Sequence, residues 1–240
     1  MLSEEERLEL FDDSRAAIRA QAAHSFFNQH PNKAVIKRLF RLATSDTDES
    51  VRARAWESLV DGAEDSEIVE TMLKRLRDPE VSAAERASLL IGLSMESDRN
   101  EVRTAMEELY RSHPECRAKA LEAMWRSLHP SFRDYFASHL DDQDVEVRRS
   151  AVWGVGYYAV KPALDKLRTL FEDEDLRSDA IFAYGLALPS DLSKGRAKGM
   201  LKRIEQDAGG LSEIEERLAM TALDERLLLS GKDAVFFPED

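Results

Sequence analysis

Cysteine is almost absent from this 240-residue chain: Cys116 is the only one, so no disulfide can close within it. Glycine (10) and proline (7) are scarce as well, which argues against an all-β chain with its many turns. No apolar run approaches the ~20 residues that cross a bilayer. The start, Met-Leu-Ser-Glu-Glu-Glu, carries neither a basic region nor an apolar stretch. No signal peptide is therefore expected, and cytoplasm is the expected compartment. Positive charge is outweighed, with 34 Lys and Arg against 47 Asp and Glu, for a net −13. That balance repels nucleic acid and anionic membrane at long range, so neither is an expected partner. The five histidines form no i, i+4 pair, and there is no Cys/His metal spacing, nucleophile elbow, phosphate loop or dinucleotide fingerprint. Neither catalytic residues nor a cofactor is assigned, and a non-catalytic role is expected.

What the chain does have is a period. Arg19, Arg52, Arg86, Arg117, Arg148 and Arg177 follow one another at steps of 33, 34, 31, 31 and 29 residues. Each opens the same local pattern. Just before the arginine stand Ile18, Val51, Glu85, Cys116, Val147 and Leu176, apolar except for Glu85. Three residues after it come Ala22, Ala55, Leu89, Ala120, Ala151 and Ala180, and four after it Ala23, Trp56, Leu90, Leu121, Val152 and Ile181. Seven after it come Phe26, Leu59, Leu93, Met124, Val155 and Tyr184. These offsets share one face of an α-helix, a single stripe to be buried. The column six after the arginine is uniformly small: Ser25, Ser58, Gly92, Ala123, Gly154 and Ala183. Close approach of a neighbouring helix accounts for it, since only small side chains let two backbones come near.

A second helix is expected before each of these, over 32–43, 64–77, 100–112, 131–140 and 162–171. The turns between are rich in Asp, as in Ser45-Asp46-Thr47-Asp48 and Asp141-Asp142-Gln143-Asp144. Asp before a helix accepts bonds from its unpaired N–H groups and suits the helix dipole. Asp48, Asp144 and Asp173 lie four residues before their arginine, placed to cap the helix and to pair with that guanidinium or with the one in the next repeat. The arginine ladder thus reads as inter-repeat framework.

The motifs Asp-x-Asp-Val-Glu-Val-Arg-x-x-Ala (142–151) and Asp-Glu-Ser-Val-Arg-x-x-Ala (48–55) resemble HEAT repeats. The short period is similar to the HEAT-like class named after phycobilisome lyases. The resemblance covers about residues 15–188. It implies an all-α fold, a right-handed α-solenoid of about six helical hairpins with helical caps. The expected organisation is a solenoid over 1–188 led by an N-terminal capping helix, then a segment over 189–240 packed on the same body. That segment begins with a basic stretch, Asp191 to Arg203, holding Lys194, Arg196, Lys198, Lys202 and Arg203 against one Asp. Gly195 and Gly199 weaken this helix. A capping helix (212–229, opening on the box Ser212-Glu213-Ile214-Glu215) and an apolar tail, Ala234-Val235-Phe236-Phe237-Pro238, follow.

In HEAT-like stacks the second helix of each repeat lines the concave face, and its outward positions lie at offsets +1, +2, +5 and +9. Offset +5 reads His24, Glu57, Ile91, Glu122, Trp153 and Phe182, and offset +9 Asn28, Asp61, Met95, Arg126, Tyr157 and Leu186. Ile91, Met95, Trp153, Tyr157 and Phe182, with Arg126, are expected as an exposed binding wall. Glu57, Asp61 and Glu122 are expected to form an acidic end. Two other arrangements compete: the C-terminal helix or Phe236-Phe237 covers the aromatics, or neighbouring repeats bury them against each other. The expected function is a scaffold or adaptor that binds a protein or peptide on the concave face. The resemblance also admits a bilin lyase or chromophore chaperone, using Trp153, Tyr157 and Arg126. It admits as well a HEAT-like DNA glycosylase, which the acidic charge opposes.

Overall fold

The computed structural model describes residues 2–60, 65–187 and 193–238, and within them every regular element is helical. The fold is an all-α solenoid of stacked hairpins. Its contacts group into two compact units, Met1–Ser127 and Leu128–Asp240. The division expected near residue 188 falls among residues outside this description, as do Asp61, Glu64 and Asp191.

In the first unit α1 (Glu4–Glu9) caps the stack, and α2 (Ala16–His24), α4 (Glu49–Ser58), α6 (Ala83–Gly92) and α8 (Arg117–Ser127) are the arginine-bearing helices. They pack in chain order, α2 on α4, α4 on α6 and α6 on α8. A second layer is made by α3 (Lys33–Ser45), α5 (Ser66–Leu76) and α7 (Asn100–Ser112), each against the helix that follows it. Local chemistry starts these helices. Asn32, Asp48, Asp65 and Ser82 each accept a backbone N–H of the first turn, a bond whose loss costs about 1 kcal/mol.

The second unit holds α9 (Val145–Tyr157), α10 (Leu164–Thr169), α11 (Arg177–Leu186), α12 (Lys194–Asp207) and α13 (Glu213–Leu228). Here α9 packs on α11, and α11 on α13. The helix expected over 131–140 is replaced by two 3-10 segments, Pro130–Tyr135 and Ala137–His139. Phe132, Phe136 and Leu140 recur every fourth residue and are all buried, while Pro130 sits at the first position of the tighter helix. The expected 162–171 helix is likewise cut to α10 between two 3-10 turns. Ser212 forms the capping box of α13. The tail packs back on this helix, with the backbone N–H groups of Val235, Phe236 and Phe237 donating to the Asp224 carboxylate.

The small column does what its composition demands. A Cβ on Gly92 would lie 2.5 Å from the Trp56 carbonyl oxygen, and one on Gly154 would lie 2.1 Å from the Phe136 ring. Ser58 donates to the Ala23 carbonyl at 2.9 Å, tying α4 to α2.

The arginines form a bonded seam. In Arg19, Arg52, Arg148 and Arg177, Nη1 donates to the carbonyl six residues upstream, that of Asp13, Asp46, Asp142 and Phe171. This clamps the turn to the helix it precedes. The same guanidiniums reach a carboxylate further along: Arg19 to Asp46 (2.8 Å), Arg52 to Glu85 (2.9 Å), Arg148 to Asp173 (3.5 Å) and Arg177 to Glu215 (2.6 Å). Arg86 instead bonds the Leu76 and Asp78 carbonyls, and Arg117 lies over the Tyr110 ring. Glu85, the exception in its apolar column, also accepts from Arg75 and from the Trp56 indole N–H. Burial alone would push its carboxyl up, but the bonds from Arg75, Arg52 and Trp56 hold it at about 2. Asp48 and Asp144 cap their helices, whereas Asp173 pairs with the arginine of the repeat before it.

Candidate binding face of the first unit

The residues expected to line the concave face do not share one environment. Met95 is 63% exposed, in the 3-10 turn after α6, whereas Ile91 is 1% and Glu57 2% exposed. The expectation of an exposed Ile91 and of an open acidic wall at Glu57 is corrected accordingly. Offset +5 faces the neighbouring helix more closely than a flat stack would allow.

The cause is the curvature of this face. Lys119 on α8 donates to Glu57 Oε1 on α4 at 2.5 Å, although α6 stands between them in the stack. Arg126, at the end of α8, donates to Asn28 Oδ1 at 3.0 Å and lies 4.5 Å from the Phe27 ring, both just beyond α2. Neighbouring helices lie about 8–10 Å apart, so three steps on a flat wall would span about 25–30 Å. An arginine cannot bridge that. The face must curl until the end of its fourth helix meets the turn after its first.

A carboxylate enclosed this way persists only with its charge answered. Glu57 Oε2 accepts from Arg54 at 2.8 Å, and Oε1 accepts from Ser88 Oγ at 2.8 Å besides Lys119. Burial pushes the carboxyl up, but Lys119 and then Arg54 outweigh it, and Glu57 is held below its usual value. His24 Nδ1 lies 3.7 Å from Glu57 Oε2 and has no hydrogen-bond partner. Burial, seconded by Arg54 and Lys119, lowers the His24 pKa against the opposing pull of Glu57. Glu122, the third residue of the expected acidic wall, accepts from Arg126 at 2.9 Å, and Arg126 also lies over the Trp125 ring at 4.6 Å. The partners of Glu57 stand at offset +2 of three successive repeats: Arg54, Ser88 and Lys119. That polar column was the available signal for the network.

In the second unit the aromatics are covered by the chain's own C-terminal helix. Phe182 is buried, correcting the expectation of an exposed side chain, and with Leu186 and Ala222 it forms a cluster on which Trp153, Tyr157 and Leu218 pack. The Trp153 ring lies 4.9 Å from that of Phe182 and 6.1 Å from that of Tyr157. Its indole N–H donates to Asp179 Oδ1 at 2.9 Å, again an offset +2 residue, and Tyr157 Oη donates to Glu225 Oε1 at 2.7 Å. Burial pushes the Glu225 carboxyl up. Trp153 and Tyr157 are half-buried, so the open aromatic wall expected from sequence is instead the seat of α13.

A cleft of about 750 Å³ opens along the arginine edge beside Trp56 and Lys74. The guanidiniums in its wall, Arg52 and Arg75, are both committed to Glu85. No cluster of three metal-type side chains and no helix long and apolar enough to cross a membrane occurs among the described residues.

Comparison with known proteins bears on the fold. In fold the chain is similar to a chain of the complex of CpcE and CpcF of phycocyanin lyase from Nostoc sp. PCC7120, at 16% identity and a TM-score of 0.54, covering 95% of this chain and 96% of that one. It is more distantly similar to YibA of Escherichia coli (21% identity, TM-score 0.45, 92% and 80% covered) and to an engineered protein (16%, 0.35, 97% and 99%). No curated protein matches it. Residues 102–185 match the family model for HEAT repeats, and the fold of the chain as a whole is like that of a chain of the phycocyanin lyase complex.

Proposed function

We propose that the chain is a non-catalytic scaffold that binds a segment of a protein partner on the inner-helix face of its first unit. The observation that carries this is the contrast on that face between Met95, 63% exposed, and polar groups almost all engaged with one another. An apolar side chain held out on a rigid, bonded wall is a natural anchor. The two most buried carboxylates of the first unit, Glu57 and Glu85, both lie below their usual pKa and answer to named cations within the stack, so their perturbation is structural in origin. HEAT repeats as a class suit such a role, and CpcE and CpcF, the proteins of the fold neighbour, form a complex with each other. The net charge of −13 favours a protein partner over nucleic acid.

The bilin-lyase reading is less well supported. It asks Trp153, Tyr157 and Arg126 to line a chromophore pocket, and each of them is engaged elsewhere: with Asp179, with Glu225, and with Asn28 and Glu122. The test is affinity capture from cells of the source organism, comparing the wild type with Met95→Glu and with the outer-face control Glu70→Ala. Loss of a captured protein from Met95→Glu alone is expected. Equal recovery by all three removes Met95 from the binding face.

A further inference from the structure

Of the helical glycines, some are demanded by packing and two are not. A Cβ on Gly92, Gly154, Gly156 or Gly185 would meet a neighbour at 2.9 Å or less, whereas one on Gly195 or Gly199 would meet nothing within 4 Å. Glycine in a helix interior is less stable than alanine, and packing demands neither Gly199, inside α12, nor Gly195, in its first turn. Both lie on α12, together with the densest run of positive charge in an acidic chain.

Their placement is specific. Gly195, Lys198, Gly199 and Lys202 follow the i, i+3, i+4, i+7 spacing of one helix face. Ala197 and Ile204, on the opposite face, are fully buried. Arg196 and Arg203 flank the glycine strip, and all four cationic side chains are exposed. Arg203 has a loose pair with Asp207 at 3.7 Å, while Lys198 and Lys202 have no ion pair among the described residues. Over 194–207 there are five Lys and Arg against Glu205 and Asp207, a local +3 in a chain of net −13.

We propose that this face of α12 is a docking surface for an acidic helical segment of a protein partner. Charge complementarity selects an acidic occupant, and the screening length of about 8 Å at physiological salt lets the local patch outweigh the distant negative charge. The glycine strip selects a helix, because two positions one turn apart without side chains let an opposing helix backbone settle between the lysines. Insertion into a membrane surface would need large apolar side chains on the same face, and this face has none. Nucleic acid would gain nothing from the strip, because it brings no helix backbone to settle between the lysines. This surface lies in the second unit, and the inference stands whether or not Met95 binds a partner.

The experiment uses the full chain and a fluorescein-labelled helical peptide of Glu-Ala-Leu-Glu repeats, read by fluorescence anisotropy. A twin peptide with Gln for Glu and an oligothymidylate of matched charge serve as comparisons. The expected result is binding of the acidic peptide only, weakened about tenfold or more by Lys198→Glu/Lys202→Glu. Gly195→Gln/Gly199→Gln leaves the charge unchanged and fills the strip with good helix formers. It is expected to raise Tm and yet weaken binding by about tenfold. Absence of peptide binding, equal binding of the oligothymidylate or the Gln twin, or an unchanged Kd in the glycine variant would each overturn the proposal.

Discussion

Replacing Glu85 by Gln removes one charge from the interior of the first unit while keeping its shape. In the native protein this carboxylate is 1% exposed and accepts two bonds from Arg52, two from Arg75 and one from the Trp56 indole. A fall in pKa from the ordinary 4.5 to about 2 corresponds to about 3 kcal/mol of stability, at ~1.4 kcal/mol per pH unit. The sign follows from the depressed value. The unfolded chain takes up this proton first as pH falls, so the contribution is complete above about pH 5 and is lost between about 5 and 2. Glu85→Gln is therefore expected to destabilise by about 3 kcal/mol at pH 7 and by only about 1.4 kcal/mol at pH 3, where the wild type has already lost the difference. The assay is urea unfolding followed by circular dichroism, with both proteins measured at each pH, so that all other titrating groups cancel. A deficit of the same size at both pH values, or one below about 0.5 kcal/mol at pH 7, would refute the assignment of Glu85 as the hub of the seam.

Lys119→Met strips Glu57 of its closest cation, and a loss of about 2–3 kcal/mol is expected, largely restored in the double variant with Glu57→Gln, as measured by a double-mutant cycle. Gly154→Ala drives a methyl group into the Phe136 ring and is expected to destabilise by about 2 kcal/mol in denaturant unfolding. Burial lowers the His24 pKa in the fold, so as pH falls below about 6.5 the unfolded chain takes up this proton before the native chain does. Stability is expected to fall with pH from there down to the depressed native value, and His24→Gln is expected to flatten that slope in thermal melts taken over the same range.

The repeat was legible because helical packing writes itself into side-chain size. The arginine spacing set the phase, the apolar columns gave the core, and the small column gave the close approaches at Gly92 and Gly154. Glu85 was visible as the break in an apolar column, but its meaning needed Arg52 and Arg75 brought together from different helices. The binding face was harder to read because exposure depends on curvature, and curvature is a sum over several interfaces that no single repeat records. Ile91 and Glu57 occupy outward positions on a straight stack and are enclosed on a curled one. Phe182 and Tyr157 meet α13, which lies beyond the repeats and out of phase with them, and Trp153 packs on Phe182 of the next repeat. The 3-10 segments after Pro130 were hidden by an apolar spacing of four that an α-helix shares.

Photo-crosslinking from position 95 tests directly whether Met95 anchors a partner on the inner face of the first unit. With p-benzoylphenylalanine in place of Met95, cells of the source organism are irradiated and adducts are mapped by mass spectrometry, with Glu70 on α5 as the outer-face control. A discrete protein adduct is expected from position 95 and not from position 70. No adduct at 95, or the same adducts from both positions, would contradict it.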